Sequence, residues 1–207
     1  MREKIILKEL TTAEINQAAE ISVASFDSYN IAMNKLGVNY LKKVFFTELI
    51  KCDGSGAIAA MNGSKLLGYY CYQKDFNAFS KRLSKKNFFK TSYYLLLAML
   101  KLKMLPRDFY NLFNIMSWID KHSVRLDAQV GPIAVSPDIK GSTQGGMISF
   151  MLIKEVLRKL KTDGIKTAWS TVDERNSSQL VSKSFGFEDV ASKRFWGVTE
   201  HFHVKKL

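Results

Sequence analysis

Hydrophobic and polar positions in the first quarter of the chain change between strand-like and helix-like spacing. A short apolar run at 5–7 predicts a first strand. Thr11 and Glu14 have the spacing of a capping box and precede apolar residues three or four positions apart, so they predict the start of a helix. A second amphipathic helix is predicted over 36–51, and the Asp-Gly pair at 53–54 ends it.

A β-hairpin and a long helical stretch follow. The predicted strands 57–61 and 66–73 flank an Asn-Gly pair at 62–63, which is typical of tight hairpin turns. Residues 80–121 have helical spacing, and Pro106 must end or kink the helix because proline has no N–H to donate.

The second half of the chain alternates strand and helix. These elements are predicted over 129–135, 145–161, 165–172, 176–184 and 195–204. Gly164 supplies a C-terminal stop for the longer helix. No internal repeat and no Ser/Gly-rich linker is visible. Residues 1–207 are therefore predicted to form one α/β domain with a helical insertion at about 80–121.

The net charge is the one unusual feature of the composition. The 207 residues include 31 Lys and Arg against 19 Asp and Glu, a formal charge of +12, which favours a polyanionic partner such as nucleic acid, an anionic membrane or a phosphate-bearing small molecule. Cys52 and Cys71 lack partners at metal-ligand spacing and are predicted to be free thiols of a reducing compartment. With no visible signal peptide or membrane-spanning apolar stretch, the protein is predicted to be soluble and cytoplasmic.

One segment, 133–147, has the sequence pattern of an anion-binding loop. A strand ends in a proline-marked turn, a Lys-Gly-Ser-Thr-Gln-Gly-Gly loop follows, and a helix starts at once. Backbone N–H groups of such a loop and of the first helical turn form an anion-binding concavity. Lys140 adds positive charge, and Ser142 and Thr143 add hydroxyl donors. The glycine spacing fits neither a Walker loop nor a dinucleotide fingerprint, and the plain alternative is a flexible strand-to-helix connection.

This segment resembles the signature of the GNAT-type, acetyl-CoA-dependent N-acetyltransferases, V-x-P-x-x-[Q/R]-x-x-G-x-[G/A]. Lys140 stands in place of Gln or Arg, and Thr143 replaces a glycine. About 30 residues further on, 169–187 resembles the family's strand, Asn, short helix and Gly-Phe pair. The resemblance extends over most of the chain and is loose over 80–121. The residues on the signature positions are Val135, Pro137, Lys140, Thr143 and Gly145.

The resemblance implies a mixed, mostly antiparallel central sheet of about six to seven strands flanked by helices, with acetyl-CoA as cosubstrate and no metal. Backbone groups of Ile133, Ala134 and Val135 would pair with the pantetheine arm. The Val135 N–H would donate a hydrogen bond to the thioester carbonyl oxygen and so stabilise the oxyanion that forms there. Asn176 would contact the same arm. Backbone N–H groups would hold the pyrophosphate; these belong to Lys140, Gly141, Ser142, Thr143, Gln144, Gly145 and Gly146.

The catalytic positions depart from the family pattern. Gln129 stands where many members have a Glu as general base, and its amide can orient a water or substrate but cannot accept a proton. Asp127 would share its face of the strand and is the alternative base, although a solvated strand-end acid is the plainer interpretation. A bulge near 131–132 would re-aim either side chain. Ser182 stands where the family often has a Tyr as general acid; it can hydrogen-bond the departing sulfur or simply lie on the helix surface.

Two further features have competing interpretations. His201 and His203 share a face of the last predicted strand, but no Cys or paired carboxylate joins them at ligand spacing, so no metal site is predicted. The run 81–107 holds eight Lys or Arg and no acid. It is a solvated helix face, a lid over the substrate cleft or a membrane-facing helix. Without a reader motif, nucleic acid is not an expected partner.

Three functions stay open. The predicted one is direct transfer of the acetyl group of acetyl-CoA, in a ternary complex, to a primary amine of a small molecule such as an amino sugar, sugar nucleotide or amino acid. The positive charge makes a polyamine the least favoured acceptor. The alternatives are a protein N-acetyltransferase and a non-catalytic acyl-CoA-binding protein, the latter suggested by Gln129. The protein is expected to be a monomer or homodimer.

Overall fold

The computed structural model of the protein describes residues 5–26, 35–101, 103–175 and 178–207. Its strands are β1 (Ile6–Glu9), β2 (Ser55–Asn62), β3 (Lys65–Gln73), β4 (Ala128–Val135), β5 (Thr167–Asp173), β6 (Glu188–Phe195) and β7 (Val198–Lys206). Within the described ranges they form one sheet of seven strands in the order β1-β2-β3-β4-β5-β7-β6. All neighbours are antiparallel except β4 and β5, which are parallel. The predicted α/β class and mixed, mostly antiparallel sheet are confirmed.

Helices cover both faces of this sheet. In chain order they are α1 (Ile15–Phe26), α2 (Val38–Tyr40, a π-helical stretch Leu41–Phe46, and Thr47–Lys51), α3 (Phe76–Lys81, continued by a π-helical stretch Arg82–Lys86), α4 (Phe88–Leu100), α5 (Pro106–Ser123), α6 (Thr143–Thr162) and α7 (Ser178–Ser184). None of the helices in the described ranges is long and apolar enough to cross a membrane.

Three apolar clusters show how the helices are distributed. Side chains of α1, α2 and α3 pack on one face of β2 and β3, around Tyr69 and Cys71. The α5 side chains pack on the same face further along the sheet, around Trp169 and Phe202. The alternate side chains of the strands, such as Tyr70, face α6. The insertion 80–121 therefore lies with α1 and α2, opposite α6. It is helical as predicted, with α4 ending at Leu100 and Pro106 starting α5.

The C-terminal end differs from the sequence-based prediction. The single strand predicted over 195–204 is in fact a hairpin of β6 and β7 that turns at Trp196 and Gly197, both of which have positive φ angles. Only Phe195 of the eight β6 residues is buried. Because β6 is an edge strand with little buried surface, its sequence lacks the apolar alternation by which a strand is recognised.

The predicted capping box at the start of α1 is present. The backbone N–H and the hydroxyl of Thr11 both donate to Glu14 Oε2, at 2.9 and 2.7 Å. Lys8 Nζ donates to Glu14 Oε1 at 2.8 Å. Although desolvation opposes the change, these hydrogen bonds lower the pKa of Glu14 to about 2.

A Glu14→Gln variant is expected to lower the free energy of unfolding at pH 7 by about 1–2 kcal/mol, since it removes a charged partner of Lys8 and Thr11. The folded pKa lies below the ordinary value of 4.5, so this stabilisation is present above pH 4.5 and is lost as the pH falls towards 2. Urea denaturation across that range should show the two proteins converging at the acid end. Glu20→Gln, at an exposed position of α1, is the control, and a pH-independent difference for Glu14→Gln would contradict the assignment.

Candidate functional site

The site begins where β4 and β5 separate. They pair only near their first residues, with Ala128 opposite Ala168 and Gln129 opposite Trp169. Both strands then continue without further ladder positions between them, β4 as far as Val135. The segments 130–135 and 170–173 therefore border an opening in the sheet, called the gap below. Backbone groups along its edges are left without a strand partner across it.

A bulge explains why β4 leaves β5 at this point. On its other side β4 pairs with β3, with Tyr72 opposite Val130 and Tyr70 opposite Ile133. Residues 131–132 therefore oppose a single residue of β3. A bulged strand bends, and the bend comes directly after the last pair with β5. The bulge that the sequence predicts near these two residues is present.

Hydrogen bonds to β3 decide which backbone groups face the gap. The Ser136 N–H donates to the Leu67 carbonyl at 2.7 Å. Because hydrogen-bonded pairs alternate along an antiparallel ladder, Ala134 also directs its N–H and C=O towards β3. Ile133 and Val135 direct theirs towards the gap. Of the three residues predicted to pair with the pantetheine arm, Ile133 and Val135 therefore direct backbone groups towards the gap, whereas the ladder already uses the backbone of Ala134.

Two hydrogen bonds tie α1 to this edge of β4. The Ser25 hydroxyl donates to the Val135 carbonyl at 2.8 Å. Lys140 Nζ donates to the Ser25 carbonyl, also at 2.8 Å. The ammonium group thus lies at the C-terminal end of α1, where the helix dipole favours a cation. Lys140 consequently joins the loop after β4 to α1 as well as bringing positive charge to that loop.

The loop after β4 is shaped by its own hydrogen bonds. The Lys140 N–H donates to the Ser136 carbonyl at 3.0 Å, and the Ser142 N–H donates to the Ile139 carbonyl at 3.1 Å. Ser142 then caps α6, because its Oγ accepts a hydrogen bond from the Gly145 N–H at 3.1 Å. These contacts occupy several of the donors that the sequence offers to a pyrophosphate.

The donors left over lie at the N-terminus of α6. Across the described part of the chain, the N–H groups of Gly141, Thr143 and Gln144 have no hydrogen-bond acceptor. The N–H of Gly146 donates to the Ser142 carbonyl at 3.0 Å. Three unbonded donors beside the positive end of a 20-residue helix suit an anion. Of the seven residues predicted to hold the pyrophosphate, these three are therefore the ones whose N–H groups have no acceptor in the described part of the chain.

Glycine is required at two of the loop positions for different reasons. Gly141 has φ +79°, a left-handed conformation that disfavours other residues. A Cβ on Gly145 would lie 2.3 Å from the Ile139 carbonyl oxygen, closer than such atoms approach. A Cβ on Gly146 would meet nothing within 4 Å. The first turn of α6 is therefore pressed against the loop at Gly145 and open at Gly146.

Asp127, the alternative base, is not brought to the gap. Its Oδ2 accepts hydrogen bonds from the backbone N–H groups of Lys166 and Thr167, at 3.0 and 2.9 Å. Although desolvation opposes the change, these bonds together lower the pKa of Asp127 below its ordinary value. The residue precedes the paired positions of β4, at the closed end of the β4–β5 pair. Its carboxylate fixes the start of β5.

Gln129 lies at the last paired position before the gap, opposite Trp169 on β5 and Gln73 on β3. Its side chain is half-buried on the face covered by α1 to α5. Gln73 shares that face and is 1% exposed, and its Oε1 has no partner within the described ranges. The sequence-based prediction missed Gln73. Its signal is a lone amide at the end of the apolar β3 strand.

Known proteins were compared with this chain by sequence and by structure. No protein-family model matches the sequence, and no curated protein sequence matches it. Solved structures do match. A protein from Desulfovibrio desulfuricans assigned to the GNAT family of acetyltransferases superposes with a TM-score of 0.57 at 12% identity, over 98% of this chain and 99% of that one. The chain has the GNAT fold.

Other solved structures with the GNAT fold also match over nearly the whole length of both chains. The ribosomal-protein-alanine N-acetyltransferase from Brucella melitensis has a TM-score of 0.61 at 14% identity, over 98% of this chain and 99% of that one. An N-acetyltransferase from Staphylococcus aureus has a TM-score of 0.57 at 11% identity, over 98% of both chains. At these identities the likeness establishes the fold.

Two predicted site residues belong to the segment after β5 in this GNAT fold. Ser182 lies on α7, which packs against β5, and its side chain is half-buried. Its carbonyl accepts the N–H groups of Phe185 and Phe187, both at 3.1 Å. The helix therefore lies beside β5. Asn176 lies outside the described residues.

The GNAT fold also places a carboxyl group that the sequence-based prediction did not select. Glu200 on β7 lies opposite Asp173, the last residue of β5, and shares a strand face with Phe202, which packs on the α5 side. Burial, and then the neighbouring Asp173, raise the pKa of Glu200 to about 7. Asp173 itself accepts hydrogen bonds from Arg175.

Proposed function

We propose that the protein transfers the acetyl group of acetyl-CoA to a primary amine. The main observation that supports this proposal is the gap between β4 and β5. It presents backbone groups of Ile133 and Val135 to an extended arm that contains amides, and it leads to the unbonded N–H groups at the N-terminus of α6. A phosphate is the natural occupant of those donors. The gap and the helix N-terminus together suit the two halves of acetyl-CoA.

The residues that line the gap would promote direct attack of the amine on the thioester. The Val135 N–H would stabilise the negative charge that develops on the thioester oxygen. Holding both reactants in place supplies much of the rate, and such positioning is worth up to about 7–11 kcal/mol. Ser182 would hydrogen-bond the departing sulfur. Coenzyme A thiolate leaves without needing a strong acid.

Gln129 and Gln73 would position the acceptor on the face covered by α1 to α5. Neither amide can accept the proton of an ammonium group. If the amine does not arrive neutral, its proton must pass to water that the amides orient or to a carboxylate such as Glu200, whose pKa is raised to about 7. The orphaned Oε1 of Gln73 is an acceptor for an N–H of the incoming amine, since a buried oxygen without a partner is costly to keep.

We take the acceptor to be a small molecule with an anionic group, such as an amino acid or sugar nucleotide, because the chain has a net charge of +12. A protein acceptor is the second candidate, since two structures with this fold are named for their action on a ribosomal-protein alanine. Cys52 and Cys71 are free thiols, as predicted, and both are buried. We place the reaction in the reducing cytoplasm.

Release of free coenzyme A thiol tests this function. The protein is incubated with acetyl-CoA and a panel of amino sugars, amino acids, sugar nucleotides and peptides with N-terminal alanine. Thiol release with a small amine is expected, and release with peptides alone would identify the second candidate. Calorimetric binding of coenzyme A without turnover on any amine would instead assign a non-catalytic acyl-CoA-binding protein. Absence of both binding and turnover would overturn the proposal.

A further inference from the structure

A cluster of histidine and aspartate side chains lies on the hairpin of β6 and β7, apart from the gap. Asp189 on β6 is opposite His203 on β7, and His201 is two residues from His203 on the same face. One nitrogen or oxygen atom from each of the three lies within 4.8 Å of the others. His201 Nδ1 is 2.6 Å from Asp189 Oδ2.

His203 is the member of this cluster whose surroundings indicate that a ligand binds here. Its side chain is 0% exposed, and neither ring nitrogen has a hydrogen-bond partner among the residues that the structure describes. A buried imidazole normally pairs at least one nitrogen, since an unsatisfied polar group in the interior is destabilising. A species that accepts nitrogen lone pairs beside Asp189 and His201 would satisfy it.

We propose that Asp189, His201 and His203 bind a divalent transition-metal ion, with Zn²⁺ the best match. Two imidazoles and one carboxylate are a common three-residue donor set for zinc and leave a coordination position for water. Ligand atoms of tetrahedral zinc lie roughly 3.3 Å apart, so side-chain rotations from the present separations close the site. Asp189 is exposed and His201 half-buried, which gives the ion a path from solvent.

The sequence could not predict this site because the carboxylate comes from β6, a strand that its pattern does not reveal. The two histidines alternate on β7, and Asp189 reaches them only through the register of the hairpin. An ion held there would join the edge strand β6 to β7. This inference is independent of the acetyl-transfer proposal.

Calorimetric titration of the untagged protein with Zn²⁺ tests the site. One saturable equivalent is expected. Asp189→Asn and His201→Asn should each weaken the affinity by at least about tenfold, since each removes a ligand. Asp189 is exposed, so its variant is expected to fold even if a change at buried His203 does not.

The third histidine of the chain supplies the control. His122 lies on α5, where its Nδ1 is 2.8 Å from the Trp118 carbonyl, and His122→Ala should leave zinc affinity unchanged. Bound Co²⁺ should give a visible absorption band that Asp189→Asn weakens. No saturable binding, or equal binding in Asp189→Asn and His201→Asn compared with the unaltered chain, would overturn the proposal.

A second surface, on α4, carries a separate inference. Phe89, Tyr93, Leu96 and Leu100 recur at helical spacing and form an exposed apolar stripe, with Phe89 87% exposed. The neighbouring α5 exposes Phe113 to 81%. Solvent-facing helix positions are ordinarily polar, and a contiguous apolar patch marks an interaction surface. The α4 stripe therefore requires an occupant.

The charge around the α4 stripe identifies that occupant's chemistry. Residues 81–107 contain eight Lys or Arg and no acid. A groove of about 580 Å³ beside the stripe has two lysines and aromatic rings among its lining residues, which are Lys43, Thr47, Phe89, Lys90, Tyr93 and Tyr94. An apolar helix face beside lysines is the pattern of a helix that lies in the surface of an anionic bilayer.

From these observations we infer that the α4 stripe docks on an anionic lipid surface. Vesicles of phosphatidylcholine with phosphatidylglycerol should co-sediment the protein at low salt and release it at high salt, and pure phosphatidylcholine should bind at least about fivefold less. Phe89→Ser should reduce binding several-fold, whereas Phe150→Ser, at an exposed position on α6, should not.

Two outcomes would overturn the lipid assignment. One is the absence of co-sedimentation with anionic vesicles. The other is self-association that Phe89→Ser abolishes in the absence of any vesicle binding, which would make the α4 stripe an interface between two copies of the chain.

Discussion

Replacing Gly145 by alanine is expected to weaken acetyl-CoA binding by at least about tenfold, and replacing Gly146 by alanine to change it by less than about twofold. The new Cβ at Gly145 would lie 2.3 Å from the Ile139 carbonyl oxygen. That oxygen belongs to the backbone, so the loop itself must move away from α6. Such overpacking costs about 1–3 kcal/mol of folding stability. Affinity falls because the displaced loop moves its N–H groups away from the positions proposed for the pyrophosphate, and a loss of about 1.4 kcal/mol of binding free energy is a factor of ten in affinity.

Gly146 is a matched control because it lies in the same first helical turn. An alanine there meets nothing within 4 Å, and either substitution would on propensity alone favour the helix. Isothermal titration with acetyl-CoA measures both affinities, and thermal unfolding shows whether the variants remain folded. If the two variants bind equally well, the close contact of loop and helix does not shape the pyrophosphate site.

Local chemistry made the start of α1 and the β2–β3 hairpin predictable. Thr11 and Glu14 are three residues apart, and the turn after Asn62 depends on neighbouring residues, so both can be found within a short window. The strand-loop-helix segment 133–147 was predictable for the same reason. Its Ser142 cap and its glycines act on groups a few residues away.

Features that depend on distant residues were not predictable. Asp127 was a candidate base until the structure showed its carboxylate bonded to Lys166 and Thr167, about 40 residues later in the chain. The register of β6 on β7 likewise decides that Asp189 meets His203. Hydrophobic periodicity records which face a residue takes, but it holds no information about which residue lies opposite.

Replacing Lys140 by glutamate is expected to weaken acetyl-CoA binding by at least about tenfold, more than replacement by methionine. The Lys140 ammonium donates to the Ser25 carbonyl, and Ser25 in turn donates to the Val135 carbonyl at the edge of the gap. Methionine removes this tie and keeps most of the side-chain volume. Glutamate also places a negative charge beside carbonyl oxygens and near the donors proposed for the pyrophosphate.

Salt dependence separates these two contributions. The difference between the effects of Lys140→Glu and Lys140→Met is electrostatic and should shrink as ionic strength rises, whereas loss of the tie to Ser25 should persist. Lys154→Glu, at an exposed position further along α6, makes the same change in net charge away from the loop and should alter binding little. Equal effects of Lys140→Glu and Lys154→Glu would mean that overall charge, and not the position of Lys140, governs binding. Unchanged affinity in Lys140→Glu would refute the pyrophosphate assignment, because a carboxylate at that point of the loop could not leave a bound anion undisturbed.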